Sequence, residues 1–177
     1  IFKADEKDDY IDIIIDESNK MANLVADMLN LSHLESGVFK LDKEEFFIDE
    51  LISSVCKKFF KVIKDKNVTV HFNMIKQIKV NADWNRMEQV IDNFTTNAIK
   101  NTEKGGSISF SIIDSGNRAI VSVENTGNNI PDEDINKIWD NFYKVDKSRN
   151  RELGGTGIGL AIVKNILELH GYEYGVK

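Results

Sequence analysis

The chain has 177 residues, 41% of them hydrophobic, which suffices for one domain with a buried core and an additional segment. Its net charge of −6 argues against a general nucleic-acid-binding protein, so any anion site must be local. The single cysteine, Cys56, excludes an intrachain disulfide, and no apolar run approaches the ~20 residues that span a membrane. We therefore expect a soluble chain from a reducing compartment. It does not begin with methionine, as expected of a piece of a longer protein.

The first predicted element is a helix over residues 10–35. Its apolar residues recur three and four positions apart, with charged residues between them. They are Ile11, Ile14, Ile15, Met21, Leu24, Val25, Met28, Leu29 and Leu34. This stripe is too apolar to be left in water. The helix packs either on its own domain or against a partner helix in a coiled coil or bundle, and we favour the second. Ser36 and Gly37 are predicted to end it.

The following residues have the pattern of a domain that mixes helices and strands. We predict a helix from a cap at Asp49 to about residue 64, then strands at 68–72 and 78–80, and then a helix from a cap at Asp83 to about residue 101. A hairpin of strands at 107–113 and 118–124 is expected next. A short helix opened by Pro131 and a helix from Gly159 to about residue 169 complete the prediction. This order indicates an α+β fold, in which helices lie over a mixed, mostly antiparallel sheet as two layers.

Four polar residues share one face of the predicted helix after Asp83. Asn93, Asn97, Lys100 and Asn101 recur at intervals of three and four, although asparagine is a poor helix former. An asparagine carbonyl is a hard oxygen ligand that suits Mg²⁺ shared with phosphates, and a lysine can meet a phosphate charge. The alternative is an ordinary solvated helix face.

A polar turn follows the second strand of the predicted hairpin. Asn125 at the strand end could accept from an exocyclic amine and donate to a ring nitrogen, which is the pairing that an adenine edge requires. Gly127 would permit close approach, and Ile130 could pack on the purine. The alternative is a plain polar turn.

A glycine-rich segment runs directly into the last predicted helix. Its glycines are Gly154, Gly155, Gly157 and Gly159. Together with Thr156, the free amides and the dipole of the helix N-terminus favour an anion such as phosphate. Such turns are also common without a ligand, and this one follows neither the Walker A nor the Rossmann pattern.

Together these segments form an ordered set of motifs: NxxxNAxK from Asn93, NTGxxIP from Asn125, WDxFYK from Trp139 and GGTGIGLAIVK from Gly154. With this set, residues 45–175 resemble the ATP-binding domain of sensor histidine kinases, in the wider ATPase class of gyrase B, Hsp90 and MutL. The resemblance implies a two-layer sandwich that binds ATP and Mg²⁺ between the motifs under a mobile lid. The lid would be residues 144–153.

The resemblance also implies roles for individual residues. Asn97 would be the Mg²⁺ ligand, with Asn93, Lys100 and Asn101 as phosphate or ribose neighbours and Asn125 as the adenine-specifying residue. Arg149 is the candidate cation that would stabilise the transferring phosphate, beside Asn93 and Lys100 as candidate catalytic residues. The remaining nucleotide contacts would be Gly127, Asn129 and Ile130 around the adenine, Phe142, Tyr143 and Lys144 in the aromatic box, and Gly155, Thr156, Gly157, Ile158, Gly159 and Leu160 in the phosphate loop.

The chain departs from the family pattern at several of these positions. The family usually has aspartate in place of Asn125, glycine in place of Asn129 and an aromatic residue in place of Asn101. Hydrolytic relatives carry a water-activating glutamate where this chain has Asn93. Without a base there, attack by water should be slow, so the γ-phosphate would await a better nucleophile.

In sensor kinases that nucleophile is a histidine in a His-Glu/Asp-x-x-x-Pro context, which none of His33, His71 and His170 has. Residues 1–36 resemble the second helix of a dimerisation hairpin, with the acceptor helix expected upstream. Residues 37–177 would then be the catalytic domain without its last strand. We expect this chain to bind ATP and Mg²⁺ without phosphorylating itself.

For the full-length protein the resemblance implies a homodimer on the cytoplasmic side of the membrane, whose partner is a response-regulator receiver domain and not a nucleic acid. The lid and the Asn125 turn are most similar to those of vancomycin-resistance-type sensors. The alternatives are an anti-sigma-type serine kinase on the same fold and a nucleotide-sensing interaction module without transfer activity.

Overall fold

The computed structural model describes residues 4–36, 40–74, 77–116, 118–145 and 155–176, and the predicted α+β fold is confirmed. The helices are α1 (Ala4–Glu35), α2 (Ile48–Lys58), α3 (Phe60–Asp65), α4 (Trp84–Asn101) and α5 (Gly159–His170), with a 3₁₀-helix at Lys137–Trp139. The strands are β1 (Glu44–Phe47), β2 (Thr69–Met74), β3 (Lys79–Ala82), β4 (Ser107–Asp114) and β5 (Ala119–Asn125).

The helix α1 begins earlier than predicted and divides into an exposed part and a docked end. Its apolar side chains from Tyr10 to Leu29 are largely exposed, whereas Leu31 and Leu34 near its end are only 5% and 2% exposed. The docked end packs on α5. The exposed stripe is consistent with a helix that pairs with another helix, although that pairing stays a prediction.

The helix predicted from Asp49 to about residue 64 is wrong in two respects. It is broken at Phe59, where ψ is close to zero, into α2 and α3. The helix also begins at Ile48, with Phe47 in the cap position and no side-chain cap. Asp49 does not cap because its Oδ1 atom instead accepts a hydrogen bond from the backbone N–H of Gln77, just before β3, at 3.0 Å.

The strands form two ladders. Strand β1, which the sequence did not predict, pairs antiparallel with β3, with Glu44 opposite Ala82. In the second ladder β4 lies between β2, a parallel neighbour, and β5, an antiparallel one with Ile108 opposite Asn125. The predicted hairpin of β4 and β5 is therefore present, and the mixture of parallel and antiparallel pairs is as expected.

The core lies between this sheet and the helices α2, α4 and α5. Alternate residues of β4 are buried, as expected for a strand with one face on helices. The short helix expected after Pro131 is a 3₁₀-helix, which begins only at Lys137. Among the helices of the described ranges, none combines the length and the apolar content that a membrane crossing needs.

A buried histidine joins the end of α5 to the start of α4. The Nδ1 atom of His170 lies 2.7 Å from the carbonyl oxygen of Ile166, and its Nε2 atom accepts from the backbone N–H of Asp83 at 3.1 Å. The proton of the neutral ring is therefore on Nδ1. Burial lowers the pKa of His170 from its ordinary 6.5, and the hydrogen bond to Ile166 opposes this only in part. The ring is thus held neutral, because a second proton would face the Asp83 N–H.

We expect acid to weaken the fold through His170. The unfolded chain binds the proton at a higher pH than the folded chain, so this contribution to the free energy of unfolding is complete above pH 6.5 and is lost as the pH falls below that value. Urea unfolding over this range should show the loss in the wild type and in His71→Gln, which removes an exposed histidine of β2. The loss should be smaller in His170→Gln, and an identical pH profile in all three proteins would contradict the assignment.

One fully buried hydroxyl in α4 has no hydrogen-bond partner among the described residues. Thr95 is 0% exposed, and its Oγ1 atom is unpaired. We expect Thr95→Val, which keeps the shape and removes the buried polar atom, to raise the free energy of unfolding by about 1 kcal/mol. The matched control is Thr102→Val, because the Thr102 hydroxyl is equally buried and donates to the Ala98 carbonyl oxygen at 2.6 Å. We expect Thr102→Val to lower the free energy of unfolding by about 1 kcal/mol. Denaturant titration measures both, and destabilisation by Thr95→Val would refute the prediction.

Candidate nucleotide site

The polar face of α4 is the base of the candidate site. The Asp83 side chain caps this helix as predicted, by accepting from the Arg86 N–H at 3.1 Å. Asn93, Asn97 and Lys100 are half-buried along one face, while the opposite face of the helix is in the core. The same helix therefore packs the sheet with one side and presents amides and an ammonium group with the other.

The N-terminus of α5 lies directly on this face. A Cβ atom placed on Gly159 would be 2.7 Å from the Oδ1 atom of Asn93, so a side chain there would displace the Asn93 amide from its present position. The Nδ2 atom of Asn93 donates back to the Gln89 carbonyl oxygen at 3.0 Å, which fixes the orientation of the amide. Asn93 and the first turn of α5 consequently border the same space, where an anion would be favoured by the helix amides.

The phosphate loop approaches the other end of the same face. The Nζ atom of Lys100 lies 4.0 Å from where a Cβ atom of Gly155 would be. Burial lowers the pKa of Lys100, Asp27 opposes this shift, and Lys144 adds to it. Lys100 and Lys144 thus place positive charge beside the loop, as an anion site requires.

The aromatic box is tied to the phosphate loop through the backbone. The N–H of Phe142 donates to the Gly157 carbonyl oxygen at 2.9 Å. Gly157 has φ +77°, and a Cβ atom there would lie 2.9 Å from the Phe142 carbonyl carbon. Phe142 itself has the left-handed φ of 65°, which is rare for a large side chain. The close contact and the unusual backbone together fix the path of the loop at Gly157.

The rest of the box is anchored away from the loop. The Tyr143 hydroxyl donates to Asp134 Oδ1 at 2.5 Å, and this bond raises the pKa of Tyr143 to about 12. Asp134 is only 8% exposed and also lies 3.6 Å from the Lys137 ammonium group. Tyr143 therefore fixes the box to the segment that carries the 3₁₀-helix, and Phe142 is left exposed.

The turn after β5 closes against the end of α4. A Cβ atom on Gly127 would collide with the Asn101 carbonyl oxygen and would lie 2.8 Å from the Nδ2 atom of Asn125. The Asn101 side chain donates back to the Asn97 carbonyl oxygen at 2.9 Å. Asn125 and Asn129 are exposed, and Ile130 is half-buried against the core. The predicted adenine-binding residues thus lie at the C-terminal end of α4.

An open cleft of about 380 Å³ adjoins this turn, lined by residues 103–106 and 126–128. It shares Gly127 with the predicted adenine site but includes neither Asn97 nor Gly157. Ile158 is fully buried and Leu160 half-buried at the start of α5, so these two residues also pack the domain. Residues 146–153 of the predicted lid, which include Arg149, lie outside the described residues, as does Gly154.

One residue at this site, Asp27, was not predicted from the sequence. The Thr156 hydroxyl donates to Oδ2 of Asp27, in α1, at 3.2 Å. Asp27 is one of many acidic residues on α1, and its sequence context gives no signal that it lies near the phosphate loop. Only the packing of α1 on the domain brings it there.

The chain is similar to known proteins of one family. Residues 82–176 match the family of histidine kinase-, DNA gyrase B- and HSP90-like ATPases. The chain is 34% identical over 165 residues to the sensor histidine kinase WalK of Bacillus subtilis, an alignment that covers 92% of this chain and 27% of WalK. The chain therefore spans about a quarter of the length of this relative.

Solved histidine kinases have a similar fold. The catalytic domain of histidine kinase ThkA is 34% identical, with a TM-score of 0.65, over 72% of this chain and 80% of that one. ThkA in complex with the response regulator protein TrrA is 30% identical, with a TM-score of 0.70, over 81% of this chain and 42% of that one. The match across α4, β4, β5 and α5 identifies the chain as a member of the histidine kinase-, DNA gyrase B- and HSP90-like ATPase family.

Proposed function

We propose that this chain is the ATP-binding catalytic part of a sensor histidine kinase, which binds ATP with Mg²⁺ and presents the γ-phosphate to a histidine. The observation that carries the proposal is the convergence on α4. Asn93 lies at the N-terminus of α5, and Lys100 lies beside the phosphate loop. One helix face thereby gathers an amide, an ammonium group and free helix amides around one space, as a polyphosphate requires.

The available ligands fit a magnesium ion that is shared with the nucleotide. Within the described ranges, no group of three His, Cys, Asp or Glu residues could hold a metal by itself. The half-buried Asn97 side chain makes no hydrogen bond within those ranges, so its amide oxygen is available as a single hard ligand. Bound there, Mg²⁺ would neutralise charge on the phosphate oxygens. Asn97 would hold it and Lys100 would contact the phosphates.

The site favours transfer over hydrolysis. Asn93 has no carboxylate that could take a proton from water, and its Nδ2 atom already donates to the Gln89 carbonyl oxygen. A histidine would attack the γ-phosphorus, a nitrogen–phosphorus bond would form, and the bond to the bridging oxygen would break to release ADP. The imidazole would lose its proton to water. Lys100, Lys144 and, by position in its motif, Arg149 would stabilise the charge that develops.

For the complete protein we propose a homodimer on the cytoplasmic side of the membrane, with residues 1–36 in its dimerisation hairpin and residues 37–177 as the catalytic domain. The exposed apolar stripe of α1 supports the pairing. Relay to a response-regulator aspartate is supported by the likeness to ThkA, which was solved in complex with TrrA.

We expect Gly157→Ala to weaken ATP binding at least about tenfold, because a Cβ atom there needs a left-handed backbone and meets the Phe142 backbone at 2.9 Å. Gly175→Ala is the control, since this glycine lies beyond α5, outside the candidate site, and a Cβ atom there would meet nothing within 4 Å. That variant should bind ATP within about twofold of the wild type. Calorimetric titration with Mg²⁺ present measures both, and unchanged affinity in Gly157→Ala would count against the site.

We expect the full-length protein, incubated with γ-labelled ATP, to acquire acid-labile label on a histidine, whereas the 177-residue chain remains unlabelled. Asn97→Ala in the full-length protein should abolish the label. Asn85→Ala, an exposed position in the first turn of the same helix, should leave it unchanged. Label on His33 would contradict the assignment, and ATP binding without any transfer would favour a nucleotide-sensing module.

A further inference from the structure

The contact between α1 and the phosphate loop joins two elements that are far apart in the sequence. Oδ2 of Asp27 accepts from the Thr156 hydroxyl at 3.2 Å, across 129 positions of the chain. The same hydroxyl oxygen accepts from the backbone N–H of Ile158 at 3.3 Å, just before α5. The Asp27 carboxylate is therefore hydrogen-bonded to Thr156, whose hydroxyl also accepts from the backbone just before α5.

Asp27 also acts electrostatically on a cation at the same place, Lys100. The negative charge of Asp27 acts on Lys100 against the lowering of the Lys100 pKa by burial. Lys100 Nζ is also beside Gly155, the residue that precedes Thr156. The Asp27 carboxylate is thus hydrogen-bonded to a hydroxyl group of the phosphate loop and acts electrostatically on the ammonium group beside that loop.

The packing of α1 holds Asp27 in this position. One turn further along, Asn30 Oδ1 accepts from Arg86 of α4 at 3.0 Å, and Leu31 and Leu34 are buried. At the end of the helix, Glu35 accepts from Asn141, which directly precedes the aromatic box, at 3.5 Å. These contacts all follow Asp27 in the sequence and fix the docked end of α1, which holds the Asp27 carboxylate at the phosphate loop.

We infer that Asp27 is a further affinity-determining residue of the nucleotide site, and that its carboxylate competes with an ATP phosphate for Thr156 and Lys100. This inference rests on the proposed function. Carboxylate and phosphate are both anionic oxygen ligands, and two like charges at one pair of donors repel each other. Asp27 therefore lowers the affinity for ATP. By thermodynamic reciprocity, bound ATP weakens the docking of α1 on the domain.

The competition acts on the phosphates and not on the base. Asn125 and Gly127 lie at the C-terminal end of α4, whereas Asp27 contacts the loop before α5. Asp27 should consequently lower the affinity for ATP without changing the affinity for adenosine. A residue that merely stabilised the fold would affect both ligands in the same direction.

The test compares Asp27→Asn with the wild type in titrations with ATP and with adenosine. Asparagine keeps an oxygen that can accept from Thr156 and removes the charge. We expect the ATP dissociation constant to fall about three- to tenfold, as for removal of one nearby like charge at a partly exposed site, with adenosine unchanged. The matched control is Asp16→Asn, an exposed acid of α1 eleven positions earlier, which should leave both constants unchanged.

Equal or weaker ATP binding by Asp27→Asn would overturn the inference while leaving the proposed function intact. Tighter binding of ATP and adenosine together would overturn it as well, because the effect would not be specific to phosphate. A wild-type protein that binds no ATP would overturn the proposed function and the inference with it. Hydrogen exchange provides an independent readout, since saturating ATP should increase amide exchange over residues 24–35 of the wild type more than in Asp27→Asn.

Discussion

The packing of the N-terminus of α5 on the polar face of α4 is the contact on which the site depends. Glycine at position 159 makes this contact close, because a Cβ atom there would lie 2.7 Å from the Asn93 amide oxygen and would displace that side chain. The same two helices form much of the core, with Val90, Ile91, Ile162 and Ile166 all buried. The site is consequently rigid at its base, since α4 cannot rotate its polar face away without opening the core.

Glycine serves the same purpose at two other places around α4. Gly127 brings the turn after β5 against Asn101, and Gly157 brings the phosphate loop against the backbone of Phe142. In each case the glycine lets two main chains approach more closely than side chains would permit. The candidate site is therefore built from backbone contacts, and its polar side chains are carried on segments whose relative positions those contacts fix.

The helix α1 contributes both an exposed surface and a contact with the site. Its apolar side chains as far as Leu29 are largely exposed. Its last two turns are docked through Leu31 and Leu34 and through hydrogen bonds to α4 and to Asn141. Asp27 lies at the boundary between these two parts. A helix that pairs with a partner along one stripe can in this way also affect the phosphate loop.

The sequence by itself determined the local elements and the family. The spacing of apolar residues predicted the helices α1 and α4. Residue types predicted the Asp83 cap and the β4–β5 hairpin. These features depend on residues that are neighbours in the sequence. The ordered motifs likewise identified the ATPase family. The tertiary structure decided what depended on distant partners. Strand β1 forms by pairing with β3. Asp49 does not cap α2, because its carboxylate accepts a hydrogen bond from the backbone N–H of Gln77 instead. Asp27 reaches Thr156 only through the docking of α1, a contact across 129 positions that no local pattern encodes.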